Sequence, residues 1–192
     1  NSLVRYAGIP VVSLESATLH PLQSLADIVT ISEHLPVSLK PRVVLAWAPH
    51  VKPLPQCVSN SFAQWVNAWG GADFVIAHPE GYELDEQFTR GAEITNNLSY
   101  GLQGADFVYV KNWSAYHQYG KVLSEDASWM LTQKHLEQTN NARVMHCLPV
   151  RRNIELSDEV LDSPASLVTQ QAGNRVWAAQ AVLSEILNGG SV

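Results

Sequence analysis

Short β-branched apolar runs alternate with segments of helical periodicity along this chain of 192 residues. Five runs have the length of a strand: residues 9–14, 42–48, 73–77, 106–110 and 142–145. Helical patterns cover residues 20–31, 58–69, 85–94, 132–138 and 171–187, the last one before the pair Gly189-Gly190. Nearly continuous apolar strands that alternate with helices indicate a parallel sheet covered on both faces. The pattern therefore predicts the α/β class, with a three-layer αβα architecture and a doubly wound, mostly parallel sheet of about five strands.

Composition narrows the class of protein. Hydrophobic residues make up 46% of the chain and charged residues 16%, which suits one well-buried core of ordinary domain size. Twelve basic against eighteen acidic residues give a net charge of −6, so we expect neither a nucleic-acid nor a membrane partner. No apolar run has the length of a membrane span. Two cysteines are too few for a disulfide scaffold, which favours a reduced, cytoplasmic protein.

Polar residues cluster just after the predicted strands. Open parallel sheets bind ligands at the carboxyl ends of their strands, so these positions carry the candidate chemistry. They are Glu15, His20, His50, His78, Glu80, Lys111, Asn112, His146 and Cys147. The sequence therefore predicts a polar ligand site at one edge of the sheet.

The segment His20-Pro21-Leu22-Gln23 opens a predicted helix, because proline suits a first turn. Helix N-termini favour negative charge, so His20 and Gln23 would stand beside a place for a phosphate or an oxyanion. The alternative is that His20 only caps the helix.

The segment His146-Cys147-Leu148-Pro149 leaves the last predicted strand. Cys147 is either a small apolar filler or a thiol in a pocket made electropositive by Arg151 and its basic neighbour. No Cys or His spacing typical of a metal site supports metal binding here.

Two of these segments resemble a known family. "ESATLHPLQSLADIVTI" and "HCLPVRRN" look like the two halves of the substrate-binding signature of the aspartate/ornithine carbamoyltransferase superfamily. "GADFVYVKNW" resembles the branch that acts on N-acylated ornithine, especially N-succinylornithine. Ordinary ornithine enzymes have a D-x-x-x-S-M-G type segment where this chain reads Lys111-Asn112-Trp113.

The resemblance implies a domain assignment as well as an activity. Family enzymes have two α/β domains, and the first binds carbamoyl phosphate through a Ser-x-Arg-Thr loop that does not occur in these 192 residues. Residues 1–192 are thus expected to be the C-terminal, ornithine-binding domain, inactive without its partner domain. The complete enzyme would be a homotrimer that uses carbamoyl phosphate and N-succinyl-L-ornithine or N-acetyl-L-ornithine in arginine biosynthesis, without a metal or organic cofactor.

The resemblance also assigns residues to the carbamoyl-phosphate half of the site. His20 matches the histidine that hydrogen-bonds the carbamoyl oxygen, Gln23 matches the glutamine that holds the carbamoyl amide, and Arg175 matches an arginine that reaches the phosphate. Family members usually have Glu where this chain has Gln171, four residues before that arginine.

A second set of residues matches the ornithine half. Cys147 resembles the cysteine beside the reacting amine, and the resemblance makes it catalytic together with His20. The positions that match residues holding the acylated ornithine are Glu15, His50, Lys111, Cys147, Leu148 and Arg151. Without the resemblance, an exposed lysine at a strand end would be the simpler interpretation of Lys111.

Two alternatives stay open from the sequence. One is an ordinary ornithine carbamoyltransferase, against which Lys111-Asn112-Trp113 argues. The other is a non-catalytic amino-acid-binding module, which the missing phosphate loop favours and the presence of His20, Gln23 and Cys147 does not.

Overall fold

Five parallel strands form the sheet of the computed structural model, which describes residues 2–35 and 40–189. The strands are β1 (Arg42–Trp47), β2 (Asp73–Ala77), β3 (Glu93–Thr95), β4 (Phe107–Lys111) and β5 (Arg143–Met145). Their order across the sheet is β3-β2-β1-β4-β5, and every neighbouring pair is parallel. The predicted doubly wound parallel sheet of five strands is confirmed.

Helices cover both faces of the sheet and confirm the three layers. They are α1 (Ser2–Ala7), α2 (Pro21–Glu33), α3 (Cys57–Trp69), α4 (Glu86–Thr89), α5 (Leu98–Leu102), α6 (Gln133–Leu136), α7 (Asp158–Leu161) and α8 (Val168–Leu187), with a 3₁₀ turn at Ala127–Trp129. Helix α2 packs against both α3 and α8 on one face, whereas α5 contacts β1, β2 and α6. The chain crosses from β1 to β2 and β3 in one direction and from β3 back to β4 in the other, so right-handed crossovers place α3 and α5 on opposite faces.

Burial explains why the central strands read as apolar runs in the sequence. Every residue of β4 is buried, and so are all residues of β1 after its first. A strand covered by helices on both faces has no solvent side, so the alternation of apolar and polar residues disappears.

The helix ends also follow local chemistry: Pro21 occupies the first turn of α2, and Gly70 ends α3 in a left-handed conformation (φ 65°).

The predicted strand over residues 9–14 is wrong. This segment is irregular, and Ile9 and Leu14 are 72% and 63% exposed. Pro10 cannot donate a hydrogen bond to a neighbouring strand, and Gly8 turns the chain just before it (φ 64°). Pro10, Val11 and Val12 instead line a groove against α2 and α8, and Ile9 and Leu14 do not.

The predicted helix over residues 85–94 is also wrong in its second half. Helix α4 ends at Thr89, and after Gly91 (φ 100°) the chain forms β3 at the edge of the sheet. Strand β3 has only three residues, two of them exposed, so no apolar run marks it in the sequence. The helix predicted at 171–187 begins earlier, at Val168, and ends at Leu187 as expected; Gly190 lies outside the described residues.

The sheet reverses its direction of winding between β1 and β4. The chain moves outward from β1 through β2 to β3, and then returns to place β4 on the other side of β1. Ligand sites of open α/β sheets lie at such a switch point, beyond the carboxyl ends of the strands. Trp47 is paired with Lys111 at these ends, and the Asn112 Nδ2 donates to the Ala48 carbonyl oxygen at 2.7 Å. Of the helices that are described, none is long and apolar enough to cross a membrane.

Candidate active site

A cleft of about 150 Å³ opens beyond β4 and β5, beside the N-termini of α2 and α3. Its lining residues are Glu15, His20, Gln23, Leu54, Pro55, Cys57, Val58, Lys111, Cys147, Leu148, Pro149 and Arg175. Seven of the nine residues predicted from the sequence are in that list. The fold thus gathers residues that lie up to 160 positions apart (15 to 175) into one site.

His20 does not cap α2 with its side chain, although it occupies the N-cap position. Its backbone N–H donates to the Ser61 hydroxyl on α3 at 2.7 Å, which fixes the residue at the mouth of the helix. Its Nε2 lies 4.0 Å from the Glu15 carboxylate, and its Nδ1 is buried without a hydrogen-bond partner among the described residues. Burial lowers the pKa of His20, and the Arg175 charge adds to this while Glu15 opposes it. The imidazole is therefore neutral at pH 7 and keeps one N–H for a ligand.

Gln23 lies one turn into α2 and is 1% exposed, although it lines the cleft. Its Nε2 donates to the Asp27 carboxylate at 2.8 Å, and its Oε1 is buried without a partner among the described residues. A buried carbonyl oxygen without a donor is costly, so this atom is a site for an N–H group of a ligand.

Lys111 ends β4 and is only 7% exposed, so it is not the exposed strand-end lysine of the simpler interpretation. The strand carries its side chain into the cleft, where it faces the thiols of Cys57 and Cys147. A buried ammonium group needs a compensating anion. A carboxylate of a bound ligand would supply one.

The segment that carries Cys147 and Leu148 is held by a buried pair, His146 and Glu155. The His146 Nε2 donates to the Glu155 Oε1 at 3.2 Å, and its Nδ1 accepts the Leu148 N–H at 3.0 Å. Both side chains are fully buried. Burial lowers the pKa of His146 despite the neighbouring carboxylate, so the ring is neutral with its proton on Nε2. Leu148 adopts a left-handed conformation (φ 54°), a strained geometry that clusters at functional sites.

The charge on Glu155 is supported from several sides. Burial alone would raise its pKa, but hydrogen bonding to His146, the Lys111 charge and the Arg151 N–H together lower it. The Arg151 N–H donates to the Glu155 Oε2 at 2.9 Å. One buried carboxylate therefore fixes both ends of the loop from residue 146 to residue 151.

Both thiols of the cleft are free and protonated at neutral pH. Burial raises the pKa of Cys147, and the Lys111 charge offsets only part of this. Burial and the Glu15 carboxylate raise the pKa of Cys57 to about 11. The Cys57 Sγ donates to the Glu15 Oε1 at 3.4 Å. A protonated Cys147 cannot accept a proton from an amine. The catalytic role that the resemblance implies for Cys147 therefore cannot be that of a thiolate base at neutral pH.

His50 and Arg151 do not line this cleft but pair with each other. The Arg151 Nε donates to the His50 Nε2 at 3.2 Å, and the His50 Nδ1 lies 2.7 Å from the Lys52 carbonyl oxygen. His50 borders a second cleft of about 300 Å³, lined also by Pro49, Val51, Glu125, Ala127, Met130, Asn153 and Ile154. Because β1 and β4 are neighbours, His50, just after β1, and Lys111, the last residue of β4, lie at the ends of adjacent strands.

Arg175 projects from α8 into the first cleft and is exposed. Gln171, one turn earlier, does not support it but turns inward: its Nε2 donates to Asp27 at 2.7 Å and its Oε1 accepts the His146 N–H at 2.8 Å. The described residues include no group of three His, Cys, Asp or Glu that could hold a metal ion.

Sequence reasoning missed several residues of the site. Cys57 lines the cleft, and its signal was its place at the start of a helix that follows β1. Asp27 was also missed, although it lies one helical turn after Gln23 on the inward face of α2. An acidic residue on an apolar helix face indicates a buried polar network.

Comparison with known proteins identifies the family. Residues 56–186 match the family described as "Aspartate/ornithine carbamoyltransferase, Asp/Orn binding domain". This is more than half of the chain, which therefore belongs to the aspartate/ornithine carbamoyltransferase family and contains its Asp/Orn binding domain.

Among curated relatives, the chain is 49% identical over 191 residues to the N-succinylornithine carbamoyltransferase of Bacteroides thetaiotaomicron. The match covers 98% of this chain and 59% of the relative, so the chain spans less than two thirds of that protein. The N-acetylornithine carbamoyltransferase of Xylella fastidiosa is 28% identical, over 97% of this chain and 61% of the relative.

Solved structures of carbamoyltransferases have the same fold as this chain. A crystal structure of N-acetyl-L-ornithine transcarbamylase superposes with a TM-score of 0.87 at 29% identity, over 96% of this chain and 62% of that one. Another match, with the same TM-score of 0.87 and 29% identity over 96% of this chain and 61% of that one, is a variant of this enzyme in complex with carbamyl phosphate and N-succinyl-L-norvaline.

Proposed function

We propose that this chain is the ornithine-binding domain of a carbamoyltransferase that moves the carbamoyl group of carbamoyl phosphate to the δ-amino group of N-succinyl-L-ornithine. The observation that carries the proposal is the first cleft, which brings His20, Gln23 and Arg175 together with Lys111 and Cys147. The relatives that are 49% identical to it over the aligned residues are N-succinylornithine carbamoyltransferases. We further propose that residues 1–192 act with a separate carbamoyl-phosphate domain, within a cytoplasmic homotrimer of arginine biosynthesis.

In this proposal the carbamoyl-phosphate side of the cleft stabilises charge. The neutral His20 donates its N–H to the carbamoyl carbonyl oxygen as negative charge develops there. The free Oε1 of Gln23 accepts from the carbamoyl amide, and Arg175 neutralises the phosphate. His20 is therefore a catalytic residue, and the hydrogen bond it donates strengthens in the transition state.

On the ornithine side, Cys147 and Leu148 orient the attacking amine through their backbone carbonyl oxygens. Because the Cys147 thiol is protonated at neutral pH, it serves the reaction as a neighbour of the amine rather than as a thiolate base. The amine must then attack in its neutral form, and its proton leaves with the departing phosphate, which is basic enough to take it. Glu15 lines the same cleft.

The cations of the two clefts fit a ligand with two carboxylates. Lys111 lies in the first cleft, whereas Arg151, paired with His50, lies beside the second. N-succinylornithine carries two carboxylates and no α-ammonium group, while free ornithine carries that positive group and one carboxylate. We therefore expect N-succinylornithine to be preferred over N-acetylornithine, and both over ornithine.

Steady-state kinetics of the complete enzyme with these three substrates test the proposal. Each charge-assisted hydrogen bond to a carboxylate contributes roughly 1.5–3 kcal/mol, which is a preference of about tenfold or more in kcat/KM. Lys111→Met should raise KM for N-succinylornithine about tenfold by removing one such bond, and Lys134→Met, on the exposed side of α6, is the matched control. Preferred use of free ornithine would show an ordinary ornithine carbamoyltransferase, and binding without turnover would show a non-catalytic module.

A further inference from the structure

Asp27 is the centre of a buried polar chain that joins the two halves of the cleft. It is 0% exposed, and its Oδ1 accepts from the Gln23 Nε2 at 2.8 Å and from the Gln171 Nε2 at 2.7 Å. The Gln171 Oε1 then accepts the His146 N–H at 2.8 Å. This series of hydrogen bonds runs from Gln23 on α2, through Gln171 on α8, to the backbone directly before Cys147.

We propose that Asp27 and Gln171 are positioning residues that fix the orientation of the Gln23 side-chain amide and tie it to the backbone N–H of His146, directly before Cys147. This rests on the proposed function, because Gln23 is the residue assigned there to the carbamoyl amide. Asp27 occupies the Gln23 N–H group, so the Gln23 carbonyl oxygen is the atom left free for a ligand. A flipped Gln23 amide would face the carboxylate with its oxygen and would offer the ligand an N–H instead.

As a neutral amide, Gln171 makes both contacts without sharing a proton. It donates from Nε2 to Asp27 and accepts at Oε1 from His146. A glutamate at position 171 could still accept from His146, but its second oxygen would meet the Asp27 carboxylate, and the two would have to share a proton.

The other groups that face Asp27 come from three further places in the fold. They are the Tyr109 hydroxyl on β4, the Arg175 charge on α8 and the Cys147 thiol after β5. Asp27 Oδ2 and the Tyr109 hydroxyl are buried, and neither has a partner within hydrogen-bond distance among the described residues, although the hydroxyl lies close enough to the carboxylate to lower its pKa. No cation is bonded to the carboxylate within the described part of the chain, so the two amide donors are the groups that orient it.

Kinetics of the complete enzyme with Asp27→Ala test the proposal. Loss of the fixed Gln23 amide should raise KM for carbamoyl phosphate about tenfold and leave KM for N-succinylornithine within about twofold, since one hydrogen bond to the carbamoyl amide is lost. Asp27→Asn keeps an oxygen that can accept from both amides, so it should restore most of the loss. Asn174→Ala is the matched control: it removes bonds from α8 to Thr30 and Glu33 of α2 but does not touch Gln23.

Gln171→Glu provides a second test if Asp27→Ala does not fold. In the Gln171→Glu variant the carboxylates at positions 27 and 171 share a proton at pH 6.5. They repel each other when both are ionised at pH 9. KM for carbamoyl phosphate should therefore rise with pH about fivefold more in this variant than in the wild type. A rise that matches the wild type would overturn the proposal.

The possible failures are distinguishable. A wild-type enzyme without carbamoyl transfer would overturn the proposed function and this inference with it. An active wild type in which Asp27→Ala has no larger effect on KM for carbamoyl phosphate than Asn174→Ala would overturn the positioning role alone.

Discussion

Asp27→Asn should make the stability of the folded chain less sensitive to a rise in pH from acid to neutral. Asp27 is fully buried, and this burial raises its pKa from an ordinary 3.8 to about 7 although Gln171 and Gln23 donate to it. Between these two values the unfolded chain loses the Asp27 proton while the folded chain keeps it. The wild type therefore loses stability as pH rises from 3.8 to 7, and beyond pH 7 the cost stays constant.

The magnitude follows from the interval between the two pKa values. From pH 5 to the folded pKa near 7 is about two pH units, and each corresponds to about 1.4 kcal/mol. Over pH 5 to 9 the wild type should thus lose about 3 kcal/mol relative to Asp27→Asn, which cannot ionise. The oxygen of the asparagine still accepts from both glutamines, so few other contacts change.

Urea unfolding of the 192-residue chain, followed by tryptophan fluorescence from pH 5 to 9, measures this difference. Asp73→Asn, which removes a largely exposed carboxylate paired with Lys40, is the control for losing a carboxylate at the surface. The two stability curves of wild type and Asp27→Asn should separate mainly between pH 5 and 7. Parallel curves over the whole range would show that Asp27 is not a proton-retaining group and would refute the reasoning.

Three further measurements test the site. In the complete enzyme, His20→Ala should lower kcat about 10²-fold and leave the binding of N-succinylornithine nearly intact, because the lost hydrogen bond is strongest in the transition state; an unchanged kcat would reduce His20 to a structural residue. In a Cys57→Ser background, Cys147 should react slowly with iodoacetamide at pH 7.5, and Lys111→Met should slow it further by removing the charge that lowers the thiol pKa; faster alkylation would contradict this. The 192-residue chain alone should fold but show negligible carbamoyl transfer, and citrulline-derivative formation by the purified chain would disprove the need for a second domain.

Local signals predicted most of the fold correctly. The apolar runs that became β1, β2, β4 and β5 were readable because those strands are buried on both faces. Strand β3 was not, because an exposed edge strand of three residues leaves no apolar pattern. The run at residues 9–14 has the composition of a strand but no partner strand, and only the assembled sheet shows that.

The residues of the candidate site also divide into those that lie where the sequence predicted and those that do not. His20, Gln23 and Cys147 could be named from motifs that follow strands or open helices, and the fold brings them to one cleft. His50 and Arg151 carried equally clear signals, yet they pair with each other beside a second cleft. Nothing in the order of residues distinguishes Cys147 from Arg151, since both follow β5 in one short segment.

The sequence by itself determined the fold class and the residue types of the site, because strand burial, helix starts and chain punctuation are local properties. Only the tertiary structure decided the ionisation states and the hydrogen-bond partners. Burial makes His20 neutral and keeps the Cys147 thiol protonated, and the contact between α2 and α8 brings Gln171 to Asp27 across 144 positions of sequence. Desolvation and hydrogen bonding depend on which atoms surround a group in space, and the linear chain does not contain that information until it folds.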